Sequence, residues 1–169
     1  MRKKDWSVIF LLWGIIFSFI YSGDASAEDI LPPPYSDMVG KPLSTLECLA
    51  VNSYMEGRSE SDTANMAIMT TVYARSLLGG RYGDNICEVV FKPFAYSWTR
   101  DHKSDRIRNI EQYERLYKLA DEFLTNKDLY LKLFEYTDHY HKVGHKTTWN
   151  YRKLDYIGRF DQHVFFRHK

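Results

Sequence analysis

Residues 46–60, LECLAVNSYMEGRSE, constrain the fold of this chain more than any other stretch. Apolar residues recur here at the three- and four-residue spacing of a helix that buries one face. They are Leu46, Leu49, Ala50 and Tyr54. Gly57 interrupts the pattern, because glycine is a poor residue for a helix interior. We therefore predict a core helix over residues 44–55, with Glu56 following it at once.

Glu56 is a candidate general acid because of where that helix ends. A carboxyl group at the mouth of a core is partly removed from water, which disfavours its ionised form and raises its pKa. Such a group stays protonated near neutral pH and is able to donate a proton. Arg58 and Glu60 are close by, and we expect them to pair with each other and support the site structurally. The alternative is that Glu56 is a solvated surface residue, as most glutamates at helix ends are.

The chain before this helix predicts export. Residues 1–27 combine a basic start, an apolar run over residues 6–21 and the small residues ASA before position 28, as a secretory signal peptide does. The apolar run is nearly long enough to span a bilayer, so an uncleaved N-terminal anchor is the alternative. Both place the remainder outside the cytoplasm. Residues 28–44 are a proline-rich linker, and residues 45–169 form one domain.

The rest of the domain divides into elements by periodicity and turn residues. We predict helices over residues 62–78, 86–91 and 109–126, a short helix or strand over 129–136, and extended pieces around 139–143 and 157–166. Gly158, in the last of these, marks a turn or the close approach of another chain segment.

Charge gives no support for a nucleic-acid partner, since the net charge is only +1. The charge is unevenly distributed, however. Residues 28–99 carry an excess of acidic side chains, and residues 100–169 carry an excess of basic ones. Either the two halves attract each other within one domain, or a basic, aromatic-rich wall faces an acidic polymer. We favour the first interpretation, because the charges are scattered.

Cys48 and Cys87 both lie in the part predicted to be exported. An even number of cysteines in an oxidising compartment favours a disulfide, and two buried free thiols are the alternative. A cysteine nucleophile is not expected, because neither residue is beside a histidine and Cys48 lies within the apolar helix.

The segment 94–99, FAYSWT, is a candidate sugar-binding loop. In an exposed loop, Tyr96 and Trp98 would stack on the apolar faces of sugar rings, while Ser97 and Thr99 would donate hydrogen bonds to their edges. The alternative is that Trp98 packs in the core with its indole N–H bonded to a protein acceptor.

The run Asp138-His139-Tyr140-His141 is a candidate metal site. In a strand, His139 and His141 point to one face, as two zinc ligands would, and His145, His102 or Asp138 would have to supply the third. His-x-His is common and the chain has no HExxH motif. We therefore predict no metal site, with His139 as a hydrogen-bonding wall residue and His141 as a structural or substrate-facing one.

The order of these motifs resembles that of the SleB-type cell wall hydrolases, the spore cortex-lytic family, whose first motif is an apolar helix, an aromatic residue and Glu-Ala-Arg-Gly-Glu. The matching positions here are Tyr54, Glu56, Arg58 and Glu60. Later motifs follow in the family's order: NICEVVF at 85–91, Tyr96-Ser97-Trp98-Thr99, His139-Tyr140-His141, Trp149, and the segment 157–166. The departures are Gly57 for Ala, Ser59 for Gly, Asp138 for Thr, and a poor match over residues 101–135.

The resemblance implies an α+β, mainly α, lysozyme-like single domain with a small C-terminal β element. It also implies an enzyme that cleaves peptidoglycan glycan strands, usually as a lytic transglycosylase. Together with the predicted export, this places the enzyme in the periplasm or cell wall, and we expect it to be a monomer without a cofactor. Glu56 matches the catalytic acid. The substrate-binding residues it implies are Tyr54, Tyr96, Ser97, Trp98, Thr99, His139, Tyr140 and His141.

Two alternatives to this function remain at the level of sequence. One is a zinc-dependent N-acetylmuramoyl-L-alanine amidase or peptidase that uses His139 and His141. The other is a non-catalytic peptidoglycan-binding protein on the same scaffold, which the changes at Gly57 and Ser59 would allow.

Overall fold

A computed structural model of the chain describes residues 42–169. The predicted signal peptide or anchor over residues 1–27, and all but the end of the predicted linker over 28–44, lie outside the described residues. Within residues 42–169, no helix is both long enough and apolar enough to cross a membrane.

The first part of the described chain is helical. Its α-helices are α1 (Thr45–Gly57), α2 (Asp62–Leu78), α3 (Ile86–Phe91), α4 (Ile110–Thr125) and α5 (Lys127–Leu133), and a short 3-10 turn covers Ser97–Arg100. The predicted bounds of α2 and α3 are confirmed. For residues 129–136 the sequence allowed either a helix or a strand. The structure has a helix there, α5, which begins directly after α4.

Helix α1 is buried on almost every side, which explains its apolar sequence. Ser44 caps its N-terminus: the Ser44 hydroxyl accepts a hydrogen bond from the Glu47 N–H, and the Glu47 carboxylate accepts one from the Ser44 N–H. Leu49, Ala50 and Val51 have no exposed surface. Helix α1 packs against α2, α3 and α4, and its C-terminal end comes out of this core at Glu56.

The second part is a three-stranded antiparallel sheet of β1 (His139–Lys142), β2 (Leu154–Phe160) and β3 (His163–His168), in the order β1-β3-β2. The single extended piece predicted over residues 157–166 is therefore wrong. The chain reverses between β2 and β3 at Asp161, whose φ is +48°. Gly158 lies within β2, where the register shifts after Tyr156, and so it marks a bulge rather than a turn.

A disulfide joins Cys48 in α1 to Cys87 in α3, which confirms the predicted bond. Taken together, the described residues form a mainly helical fold with a small C-terminal sheet, and this confirms the predicted fold class.

Candidate functional site

Glu56 lies at the last turn of α1, and its side chain is half-buried. Burial raises the pKa of its carboxyl group above the usual value for glutamate. A hydrogen bond from Tyr140 and the positive charges of Lys142 and Arg75 act in the opposite direction, but they are the smaller effects. Glu56 is therefore a partly dehydrated acid near three groups that stabilise its ionised form.

A groove runs across the surface with Glu56 inside it. On one side is a cavity of about 780 Å³, which we call the helical arm. It is lined by Arg58 and by residues of the segment 101–109, among them Lys103 and Arg106. On the other side, a cavity of about 550 Å³ is lined by β1 and the loop after it, and we call it the sheet arm. Met55, Glu56 and Ser97 line both cavities. The carboxyl group thus stands where the two arms meet.

Tyr140 links Glu56 to the sheet. Its hydroxyl donates a hydrogen bond of 3.3 Å to Glu56 Oε2 across 84 residues of sequence. Burial, followed by the negative charge of Glu56, raises the pKa of Tyr140 well above its usual value, so the phenol stays protonated and remains a donor. Because β1 alternates its side chains, Tyr140 points to the opposite face from His139 and His141.

Behind Tyr140, a buried arginine holds the wall of the groove. Arg75 on α2 donates from Nε to the Asp138 carbonyl at 2.8 Å and from a terminal nitrogen to the Tyr96 hydroxyl at 3.4 Å. The Asp138 carboxylate accepts from the His168 N–H at 2.9 Å and contacts His139 Nδ1 at 2.7 Å. Arg75 thereby connects α2 with the sheet and with the 94–99 loop.

Glu60 does not pair with Arg58, and that expectation is wrong. Glu60 is buried: one carboxylate oxygen accepts a hydrogen bond of 3.1 Å from the Gln162 N–H, and the other lies 3.9 Å from His163 Nδ1. The guanidinium of Arg58 instead lies over the ring of Tyr54, 5.5 Å from its centre. Glu60 thus holds the β2–β3 turn, while Arg58 is exposed in the helical arm.

Tyr54, expected to bind substrate, and Trp98, expected to stack on sugars, both line the helical arm but are almost wholly buried. Tyr54 is 2% exposed, and its hydroxyl accepts hydrogen bonds from the Arg108 and Asn109 N–H groups. Trp98 is 6% exposed, and its indole N–H donates to Asn52 Oδ1 at 3.1 Å. Both side chains thus belong to the wall of the helical arm, with too little exposed ring surface for a sugar to stack on.

Of the other residues predicted to bind sugar in the 94–99 loop, two line the groove and one does not. Tyr96 is buried against Arg75 but lines the sheet arm, and Ser97 is exposed where the two arms meet. Thr99 donates a hydrogen bond to the Tyr96 carbonyl and lines neither arm, so it stabilises the loop instead of contacting the groove.

His139 and His141 both contact Trp149, with ring centres 5.0 and 5.6 Å from the indole. His141 lines the sheet arm and bonds Tyr151, whereas His139 lines a further cavity beyond Trp149. Across residues 42–169, no group of three or more His, Cys, Asp or Glu side chains is placed to hold a metal ion. The zinc alternative therefore has no ligand set in this part of the chain.

Several groove residues were not predicted from the sequence, among them Arg75, Lys142 and the loop over residues 146–148. The sequence places Arg75 only within the helix predicted over residues 62–78. A signal for it did exist, since an arginine on the apolar face of a buried helix needs buried acceptors. Nothing local distinguished Lys142 or the loop, because their position depends on where the sheet packs.

Comparison with known families identifies the chain. A sequence profile of cell wall hydrolases matches residues 59–166, which is more than half of it. The chain belongs to the cell wall hydrolase family. This confirms the family resemblance found in the sequence. The matched segment begins at residue 59, so it does not include Glu56.

A solved structure shows the same fold. The catalytic domain of the Bacillus cereus SleB protein matches with a TM-score of 0.53 at 14% identity, over 86% of this chain and 100% of that one. No curated protein matches the sequence. This member of the cell wall hydrolase family thus carries the fold of a SleB catalytic domain, with a groove in which Glu56 occupies the centre.

Proposed function

We propose that this protein is an exported lytic transglycosylase that cleaves peptidoglycan glycan strands between N-acetylmuramic acid and N-acetylglucosamine. The observation that carries this proposal is the position of Glu56, a carboxyl group with a raised pKa at the point where two arms of a groove meet. Family membership and the shared fold support it. A glycan strand lying along the groove would place sugars in both arms, with one glycosidic bond beside Glu56.

In the first step Glu56 acts as general acid. It gives its proton to the glycosidic oxygen as the bond from that oxygen to C1 of the muramic acid breaks, so the leaving sugar departs as an alcohol. Tyr140 donates to Glu56 Oε2, and so Oε1 is the oxygen suited to carry the proton. The phenol and the charge of Lys142 stabilise the carboxylate that forms.

In the second step the same carboxylate acts as general base. It takes the proton from the C6 hydroxyl of the muramic acid as that oxygen bonds to C1, which closes a 1,6-anhydro ring and restores the acid. No water is consumed. A single carboxyl group suffices, whereas a glycosidase that activates water or forms a covalent intermediate uses two in a fixed relation to the bond.

The structure supports a one-carboxylate mechanism because Glu60 is already engaged. Its two oxygens face the Gln162 N–H and His163 in the interior, and it lines neither arm of the groove. The other acidic residues that line the groove, Asp101 and Asp105, belong to the helical arm. Asp101 accepts from the Lys103 N–H and pairs with its ammonium group, as a structural residue would.

The test is Glu56→Gln in the full-length protein, assayed on purified sacculi. We expect the rate of release of soluble fragments to fall by about 10²–10⁴-fold, the usual contribution of a general acid–base group. Glu111→Gln, an exposed glutamate at the start of α4, is the matched control and should retain full activity. Retention of more than about a tenth of the activity in Glu56→Gln would remove Glu56 from this role.

Mass spectrometry of the released fragments then defines the reaction. Anhydro-muramic ends support the transglycosylase. Reducing ends would indicate hydrolysis at the same bond, and free stem peptides would indicate the amidase. Binding to sacculi without release of fragments would indicate a non-catalytic protein.

A further inference from the structure

The groove continues beyond the sheet arm. A cavity of about 350 Å³, which we call the distal cavity, shares Arg75, Ala95 and Trp149 with the sheet arm. The distal cavity is also lined by Arg81 and Lys92, and the sheet arm by Lys142 and Lys146. We call the surface formed by Arg81, Lys92, Lys142 and Lys146 the basic arm.

Within residues 42–169 the cations of the basic arm form no salt bridge, although the charge of Lys142 acts on Glu56. Among the ion pairs of the described residues, none includes Arg81, Lys92, Lys142 or Lys146. Arg81 donates to the Tyr82 hydroxyl and lies over its ring at 4.6 Å, which orients the charge without neutralising it. Of the described residues that line these two cavities, Glu56 is the only acidic one.

The helical arm differs in that aspartates line it as well. Asp101 and Asp105 lie among its basic residues, and one of these, Lys103, pairs with Asp101 at 3.5 Å. Like charges gathered in one cleft repel each other and raise the local concentration of anions. The basic arm therefore suits an anionic ligand.

Resting on the proposed function, we propose that the basic arm binds carboxylate groups carried by the glycan strand, and that the preferred substrate is a strand with free carboxylates. Peptidoglycan has two sources of them, the stem peptides and the lactyl group of muramic acid that is exposed when a stem peptide is removed. Phe94 is 85% exposed in the distal cavity and Trp149 lies at the junction of the two cavities, so apolar ring surfaces lie beside the cations. An amino sugar that carries a carboxylate offers a negative charge to the cations and an apolar ring face to the aromatic side chains.

The test compares three preparations of glycan strands as substrates of the full-length protein: strands with stem peptides, strands stripped to the free lactyl carboxylate, and stripped strands whose carboxylates have been converted to neutral amides. For the wild type we expect KM on the amidated strands to be about 10-fold or more above that on the better of the two charged preparations, since the amide cannot pair with the cations. Added salt should raise KM only on the charged strands. Equal KM values on charged and amidated strands would overturn the proposal.

The double variant Arg81→Gln/Lys92→Gln removes the two distal charges. It should raise KM on charged strands by about 3- to 10-fold, the range for two solvent-accessible charge contacts, and leave KM on amidated strands unchanged. Lys118→Gln/Lys132→Gln is the matched control, since both lysines are exposed on helices away from the groove. A rise in KM on amidated strands as large as on charged ones would contradict carboxylate binding.

The charged preparation with the lower KM identifies the source of the carboxylates, and either order supports the proposal. A sedimentation assay with Glu56→Gln separates this proposal from the catalytic one. If no preparation is cleaved, the proposed function fails, while stronger sedimentation with charged than with amidated strands still supports carboxylate binding. Equal sedimentation with both would overturn it.

Discussion

At the scale of the residue, the chemistry of Glu56 depends on a balance between burial and nearby donors. Burial raises the pKa of the carboxyl group, while Tyr140, Lys142 and Arg75 lower it by smaller amounts. The net rise keeps more of the group protonated at a given pH, as a general acid requires. Activity should therefore fall as the pH rises through this raised pKa, because the proton to be donated is lost.

Tyr140→Phe tests that balance. The substitution removes a hydrogen bond that favours the carboxylate, so the pKa of Glu56 should rise further and the descending limb of kcat/KM should move to higher pH. We also expect kcat to fall about 10-fold, because a hydrogen bond to a developing charge is lost. The pH profile of sacculus cleavage measures both effects.

Tyr156→Phe is the control, since Tyr156 is 63% exposed on β2 and does not line the groove. A descending limb that stays in place in Tyr140→Phe would show that the phenol does not set the pKa of the acid.

At the scale of the element, the end of α1 is fastened to α2 by Asn65. The buried Asn65 amide donates to the carbonyls of Gly57, Glu60 and Ser61 at 2.8, 3.3 and 3.0 Å. A Cβ on Gly57 would lie 2.6 Å from Asn65 Oδ1 and 2.8 Å from a methyl carbon of Ile68. The glycine that replaces the family's alanine therefore makes room for this asparagine.

Gly57→Ala should destabilise the protein in spite of the better helix propensity of alanine. We expect the free energy of unfolding to fall by about 1–3 kcal/mol, as is usual for overpacking in a core. Urea denaturation followed by circular dichroism measures this. Ser59→Ala, an exposed neighbour in the same turn, is the control and should change stability by less than about 0.5 kcal/mol. An unchanged midpoint in Gly57→Ala would show that Asn65 moves away at little cost.

At the scale of the whole molecule, the groove depends on how the sheet docks on the helices, and the β2–β3 turn makes this contact together with Arg75. Glu60 binds the Gln162 N–H, and Asp161 accepts a hydrogen bond of 2.6 Å from the Ser61 N–H. These contacts dock the β2–β3 turn on the turn between α1 and α2. Because β1 pairs with β3, the same docking brings Tyr140 to Glu56.

Replacement of Glu60 separates a structural role from a catalytic one. Glu60→Ala leaves the Gln162 N–H without its acceptor and should lower the free energy of unfolding by about 1–3 kcal/mol, while Glu60→Gln keeps an acceptor oxygen and should cost less. Assayed well below their melting temperatures, both variants should retain far more activity than Glu56→Gln. If Glu60→Gln instead lost as much activity as Glu56→Gln, the reaction would need a second carboxyl group.

Local rules were enough to predict much of the fold. Helix periodicity and turn residues located α2 and α3, and an apolar run ending at a glycine placed Glu56 at the edge of the core. The hairpin was missed because its turn carries Asp161 and Gln162 in place of the glycine pairs that favour a tight turn. The pairing of Glu60 was also missed, because its partners lie about a hundred residues further along.

The sequence by itself determined which residue stands at the end of the buried helix, since helical period and glycine act over a few positions. Only the tertiary structure decided what surrounds it. The partner of Glu56 is Tyr140, 84 residues away, and Trp98 belongs to the core because Asn52 accepts its indole N–H. The walls of the groove come from segments that meet only when the sheet packs on the helices. A sequence pattern within one segment does not specify which distant segments it will contact.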